Sequence, residues 1–519
     1  MNVLDQLREW FRWPPGRIFK SVLVVALLAV VGVVVALLRP VVIPPDHPGC
    51  GKGGSGVSKY GPDHECVGVT DGSYDYAPAY LREVTDRIRA ENRAVTKSTH
   101  PYATVALMIP MVSSSASEQR QIREEVQGAY LAQWRANRKD NSEAPAIRLV
   151  LANPGRAYTQ WRPVVAKLAA MSRSGRDNLR VVAGFNLSVA DTADAMSALA
   201  NTYGIPLVGG PLTADDFTNT PQQPRRFTNL VRVAPTNSDE ANALVHFMPR
   251  DPNGSLIVED TRPRDNYIQT LREAFERQAP NAHVEQFQSP DDINDPGNIS
   301  NVFDGKLANI CAAKAHVIYF AGRPVQLRQF VNALANGACD TPYTVVSGSN
   351  ASVLVGDGEL DWDKLKKSGI TVEYAALGYP DEWKGRTPAP GGSQDDYAEF
   401  AQAVQAAGHA IGEIGLTDER TITQYDTVWT AVREIRTATG ANVRIPRLPE
   451  VGHSRDNMHG TTPVRGASGW ICLDNYGNAY DKAVAVVRLD PAAHATRLVG
   501  IAWPTGGPPP ADCTAPRGT

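Results

Sequence analysis

What the sequence lacks narrows its chemistry first. No G-x-S-x-G elbow occurs, and Gly466-Ala467-Ser468-Gly469 has the wrong spacing for one. No H-E-x-x-H occurs; His453 and His459 share one polar loop and read as exposed loop histidines. Asp357, Glu359, Asp361 and Asp363 lack the order of a calcium loop and read as a polar turn opening a helix. The stretch 49–54, GCGKGG, has neither the Ser or Thr after lysine nor the preceding strand that a phosphate loop needs. C-x-x-C is absent, which leaves zinc at His47, Cys50, His64 and Cys66 without support. Charge of one sign is missing too. The net charge is −3, from 52 Lys and Arg against 55 Asp and Glu, so no basic field recruits nucleic acid. Together these absences argue against an enzyme such as an amidase or hydrolase, and no metal or cofactor is expected.

One long apolar run is present. Ser21–Leu38, SVLVVALLAVVGVVVALL, is uncharged and long enough to span the ~30 Å hydrocarbon core as a helix. Arg8, Arg12, Arg17 and Lys20 precede it, and Arg39 follows. The positive-inside rule then predicts a cytoplasmic segment 1–20, a transmembrane signal anchor 21–38 and an extracytoplasmic remainder. A cleaved signal peptide needs a shorter apolar core and a small-x-small site, which Arg39-Pro40-Val41 does not supply. All six cysteines lie beyond the run. An even count in an exported region favours disulfides. Their order along the chain suggests Cys50–Cys66, Cys311–Cys339 and Cys472–Cys513.

Residues 39–100 read as an extracellular stalk rich in Gly, Pro, Ser and Asp, followed by an amphipathic helix. Leu81, Val84, Ile88 and Val95 form that helix's apolar stripe. From 102 onward, strands and helices alternate. Strands are expected at 102–109, 146–152, 179–184, 205–208 and 227–233, with helices at 118–137, 158–172 and 192–203. Further strands follow at 255–259, 283–286, 316–320, 344–347 and 370–376. Helices are expected at 239–248, capped by Ser238, and at 265–278, 302–314, 325–336, 397–407 and 425–439. Asp426 reads as a local cap or pair. A last strand pair joins 469–473 to 483–489, and 504–519 is a Pro/Gly-rich tail. This alternation predicts two doubly wound parallel sheets with helices on both faces. In such sheets ligands sit beyond the carboxyl ends of the strands. The loops 184–188 and 209–213 fall there.

The order of these elements resembles the type I periplasmic binding proteins of the leucine/isoleucine/valine-binding branch, over about residues 100–503. The stretches that carry the resemblance are VALMIPMVSSSASEQRQIREEVQGAYLA, VVAGFNLS, IPLVGGPLTA, FTNLVRVAPTNSDEANAL, HVIYFAGRPVQLRQFVNAL, ITQYDTVWTAVREI and GASGWICLDNYGNAY. The resemblance implies two lobes joined by a three-strand hinge: lobe 1 at 101–234 with 380–445, and lobe 2 at 235–379 with 446–503. It implies closure on a small-molecule ligand. It places Ser113 and Ser115 in the first ligand loop, Asn186 and Ser188 in the second, and Pro211 and Thr213 in the third. Pro211 lacks the N–H that a carboxylate would use. In lobe 2, Tyr267 or Asn266 falls near the family's aromatic contact and Gln326 near its acidic one. Arg323 and Arg262 would then favour an anionic or polyhydroxy ligand. Each residue keeps an ordinary alternative: Ser188 as a helix cap, Tyr267 as core, Arg323 as a solvated loop charge. Two functions follow as expectations. One is a membrane-anchored solute-binding protein with a transporter permease as partner. The other is a ligand sensor or scaffold acting through a membrane signalling partner.

Overall fold

The computed structural model describes residues 50, 56–247, 254–293, 295–337, 339, 342–387, 389–440, 443–458 and 463–515. The apolar run Ser21–Leu38 lies outside them, as do His47 and His459. Among the described residues, no helix is long and apolar enough to cross a membrane.

The first sheet holds β1 (Val57–Tyr60), β2 (Glu65–Thr70), β3 (Tyr102–Met108), β4 (Ala146–Asn153), β5 (Leu179–Gly184), β6 (Leu207–Gly209) and β7 (Leu230–Arg232), in the order β1-β2-β4-β3-β5-β6-β7. Strands β3 to β7 are mutually parallel, whereas β1–β2 and β2–β4 are antiparallel. Side chains alternate as a pleat requires. Ala103, Val105 and Leu107 face one core; Ala106 and Met108 face the other. The first core is covered by α1 (Pro78–Lys97) and α2 (Ala116–Trp134), the second by α3 (Trp161–Arg173) and α4 (Ala190–Ser197).

The chain then crosses to a second sheet through α5 (Asn237–Leu244). The cap of α5 is Thr236, not Ser238. Its hydroxyl accepts the Asp239 N–H at 3.0 Å, and Asp239 accepts the Thr236 N–H at 2.9 Å. The Ser238 hydroxyl donates to Asp215 instead. This sheet begins with β8 (Leu256–Asp260), α6 (Asn266–Gln278), β9 (His283–Phe287), α7 (Ile299–Ala313), β10 (Val317–Ala321), α8 (Pro324–Asn336), β11 (Thr344–Ser347), α9 (Trp362–Ser368) and β12 (Thr371–Ala376). A second crossing leads back to α10 (Gln394–Ala407), α11 (Arg420–Thr439), α12 (Leu448–Ser454) and the hairpin β13 (Val464–Gly466) with β14 (Gly469–Ile471). The third crossing delivers β15 (Val484–Asp490) and β16 (Ala495–Ala502) to the second sheet, ordered β16-β15-β12-β11-β10-β8-β9.

Four expectations are corrected. Both sheets are mixed rather than parallel, because each recruits antiparallel strands at an edge. Residues 57–70 are not a stalk: β2 bonds to β4, and Cys50–Cys66 closes the strand pair's start. That disulfide replaces the zinc alternative; Cys311–Cys339 and Cys472–Cys513 also form, so Cys513 ties down the tail. Residues 448–473 pack on lobe 1, not lobe 2, since Val451, Met458, Val464 and Ile471 share its core. Finally, 469–471 pairs with 464–466, whereas β15 pairs with β12 and β16.

Strand β2 covers β4 only at Leu151–Asn153. Lower down, Asn92 of α1 takes the place of a strand. Its amide donates to the Leu149 carbonyl at 2.6 Å and to the Asp71 carbonyl at 3.0 Å, and it accepts the Leu149 N–H at 3.0 Å. Asn92→Ala leaves buried backbone groups unpaired and should lower stability by about 2–4 kcal/mol in denaturant titration. The exposed neighbour Arg93→Ala should change it by under about 0.5 kcal/mol. Equal effects would refute the strand-like role.

Candidate functional site

Helix α2 presents Glu118, Gln121, Ile122 and Glu125 along one stripe, at spacings of three and four residues. Gly128 on the same helix lets α11 come close. A Cβ there would lie 2.4 Å from the Thr421 carbonyl oxygen. That contact brings Arg420, the first residue of α11, beside Glu125. Across from this wall stand Arg323, Pro324 and Val325 at the start of α8, with Asn350 and Val353 after β11. Asn186 and Leu187, beyond the carboxyl end of β5, complete a cleft lined by both lobes.

The two lobes also bond directly. Arg420 Nη2 donates to Asn350 Oδ1 at 3.1 Å, and the Tyr267 N–H donates to the Ser188 carbonyl at 3.1 Å. Arg120 donates to the Gly356 carbonyl. Arg156–Asp292 at 2.9 Å and Arg277–Asp215 at 3.2 Å bridge the rim. The cavity left between them is about 60 Å³, far below the roughly 300–1,000 Å³ of common ligand pockets.

Of the residues expected from the sequence, Asn186 and Arg323 line the cleft. The Asn186 amide donates to Glu125 Oε2 at 2.7 Å. Arg323 is buried, not a solvated loop charge. It makes two bonds to Asp265, at 2.9 and 2.8 Å, and stacks 4.8 Å from the centre of the Tyr267 ring. Arg262 shares the same carboxylate. The expectation that both arginines await an anion is therefore corrected: one buried carboxylate already engages them. Burial works to raise Asp265, but Arg323 and Arg262 outweigh it and hold the carboxyl below its ordinary range.

The other expected residues do not line the cleft. The Ser113 hydroxyl donates to Glu118, and Ser115 bonds Ser117 at 2.9 Å. Ser188 offers its carbonyl to lobe 2, and its side chain does not cap α4, whose N-cap is Val189. Pro211 is buried, and the Thr213 carbonyl accepts the Asn237 N–H at 2.5 Å at the first crossing. Tyr267 is buried beneath Arg323. Gln326 is fully buried and donates to the Asp295 carbonyl at 3.3 Å. Sequence reasoning missed Glu118, Gln121, Glu125, Asn350 and Arg420. The polar stripe on α2 was the available signal, because a helix buried on this face has no ordinary reason to carry two acids there.

Burial pushes the Glu125 carboxyl up to about 7, against the opposing pull of Arg420 and the Asn186 bond. Such a group binds more protons folded than unfolded between its ordinary value and 7. The stability it contributes is complete below its ordinary value and is lost as pH rises through 7. Glu125→Gln should therefore gain stability relative to the unmodified chain between about pH 5 and about pH 8, by about 2–3 kcal/mol in denaturant titration. A difference that does not change with pH would refute the assignment.

The chain matches no protein-family model and no curated protein. It is similar in structure to the branched-chain amino acid transporter substrate-binding protein LivJ of Streptococcus pneumoniae in complex with isoleucine. Identity is 14%, the TM-score is 0.55, and the match covers 78% of this chain and 99% of that one. The leucine-binding protein LivK of Thermotoga maritima gives 14% identity and a TM-score of 0.54, covering 78% and 99%. A solute-binding protein of an ABC transporter from Rhodopseudomonas palustris, in complex with p-hydroxybenzoic acid, gives 14% and 0.51, covering 78% and 97%. The chain thus has the two-lobed fold of the type I periplasmic binding proteins, built among the described residues on two mixed seven-stranded sheets.

Proposed function

We propose that this chain is a membrane-anchored, extracytoplasmic solute-binding protein that captures a small polar ligand between its lobes without catalysis, for an ABC-type transporter. The observation that supports this most is the cleft itself: Glu125, Asn186 and Arg420 from lobe 1 face Arg323 and Asn350 from lobe 2. A ligand touching both walls favours the closed arrangement over any open one. Apolar Ile122, Leu187 and Val353 beside these charges suit a ligand with a short hydrocarbon part. The neighbours' complexes with isoleucine and p-hydroxybenzoic acid support solute binding. The uncharged run Ser21–Leu38, with arginines before it, supports the anchor. The second reading, a sensor or scaffold acting through a membrane signalling partner, draws on the direct bonds that leave so little room between the lobes.

The test is thermal unfolding of residues 49–519 with aliphatic amino acids, small aromatic acids, amides and sugars. A ligand at a hundredfold excess over its Kd adds about 2.7 kcal/mol to stability. One class should raise the midpoint, and Asn186→Ala or Asn350→Ala should weaken that ligand about tenfold, as loss of one hydrogen bond does. No response across the panel would sink the solute-binding reading in favour of the scaffold.

A further inference from the structure

Glu419 combines two unusual properties. It is fully buried, and its backbone is left-handed, with φ +67°. Residues other than glycine, asparagine and aspartate seldom adopt that conformation. Its carboxylate accepts the Leu377 N–H at 2.6 Å, on the second crossing between the lobes. The left-handed step and this bond together direct the next side chain, Arg420, into the cleft.

Arg420 is 5% exposed. Its Nη1 lies 3.5 Å from Glu125 Oε1 of lobe 1, and its Nη2 donates to Asn350 Oδ1 of lobe 2 at 3.1 Å. Its Nε is buried with no hydrogen-bond partner among the described residues. One side chain thus touches both walls, as a captured ligand must. Its hold on Glu125 is loose, since well-made guanidinium–carboxylate bonds are about 2.7–2.9 Å, whereas the bond to Asn350 is of ordinary length.

We propose that Arg420 is a built-in occupant of the interlobe cleft, a tethered guanidinium bridging Glu125 and Asn350 that has to swing aside before a molecule larger than a few atoms can enter. The inference rests on the reading of this cleft as the ligand site, and it concerns how that site is gated. Arg420 lines a cavity of about 60 Å³. Glu419 ties the occupant's base to Leu377, just past the end of β12.

Arg420→Ala should leave a guanidinium-shaped gap. Thermal unfolding of the full chain with methylguanidinium, and with methylammonium for comparison, reads it directly. The variant should show a saturable rise in midpoint with methylguanidinium, at an apparent affinity at least about tenfold tighter than the unmodified chain. Adding Glu125→Gln should abolish that rise. Equal responses from the variant and the unmodified chain would overturn the proposal. Should Arg420→Ala fail to fold, Asn350→Ala removes only the lobe 2 anchor. Spin labels at the exposed positions Arg173 and Lys366 should then report a longer or broader distance between lobes, and an unchanged distribution would overturn the proposal. A panel ligand that binds the unmodified chain but binds Arg420→Ala more weakly would make Arg420 a ligand contact, which overturns the gate and upholds solute binding. A methylguanidinium response with no panel ligand would do the reverse.

Discussion

The Asp426 carboxylate holds together the part of the molecule on which both lobes depend. It sits on α11, fully buried, and accepts the N–H groups of Ala467 and Ser468 at 2.7 and 2.9 Å, together with the Ser468 hydroxyl. Lys482 donates to the Ser468 carbonyl and faces both Asp426 and Glu382 of the second crossing. Burial raises Asp426, and Lys482 and the Ser468 bonds oppose it. Gly466 makes the approach possible, for a Cβ there would lie 2.5 Å from the carboxylate. The reading of Asp426 as a local cap is thereby corrected: its partners are 41 and 42 residues away. Removing either charge of such a buried set leaves the other uncompensated, which costs far more than a surface pair ever contributes.

Because α11 begins at Arg420 and carries Asp426 two turns later, one helix serves both the crossings and the cleft. Its packing against α2 fixes the distance from Arg420 to Glu125. Glu419 adds a second tie from the same turn to Leu377. The crossings and the cleft therefore share the same few residues. Buried ionic groups of this kind add little net stability, since desolvation offsets most of the Coulomb attraction. Their consequence is geometric: each acid tolerates one arrangement of donors, and Asp265, with Arg262, Arg323 and the N-terminus of α6, is a second example.

Much of the fold was legible because it rests on local signals. Strands 179–184 and 344–347 match their expected bounds to the residue, since short β-branched runs bounded by polar turns have few alternatives. The disulfide pairs followed chain order. The strands at 57–60 and 65–70 were not legible. Gly, Ser and Lys around them resemble a linker, and only an open edge on β4 makes strands of them. The hairpin at 464–471 departs from the expected pairing for a related reason: an apolar run states that it is a strand, not which strand it pairs with.

The site divides the same way. Asn186 reaches the cleft from the end of a recognisable strand and Arg323 from the start of a helix, but Arg323's commitment to Asp265 depends on a residue 58 positions earlier. Glu125 and Arg420 are 295 positions apart and meet only where α2 and α11 cross at Gly128. By itself the sequence determined the alternation of strands and helices and the absence of the catalytic motifs, because periodicity and motif spacing are local properties, whereas the two-lobed class came from the family resemblance. Which charges face one another across the cleft was decided only by the tertiary structure, because desolvation and pairing depend on distances that packing alone sets.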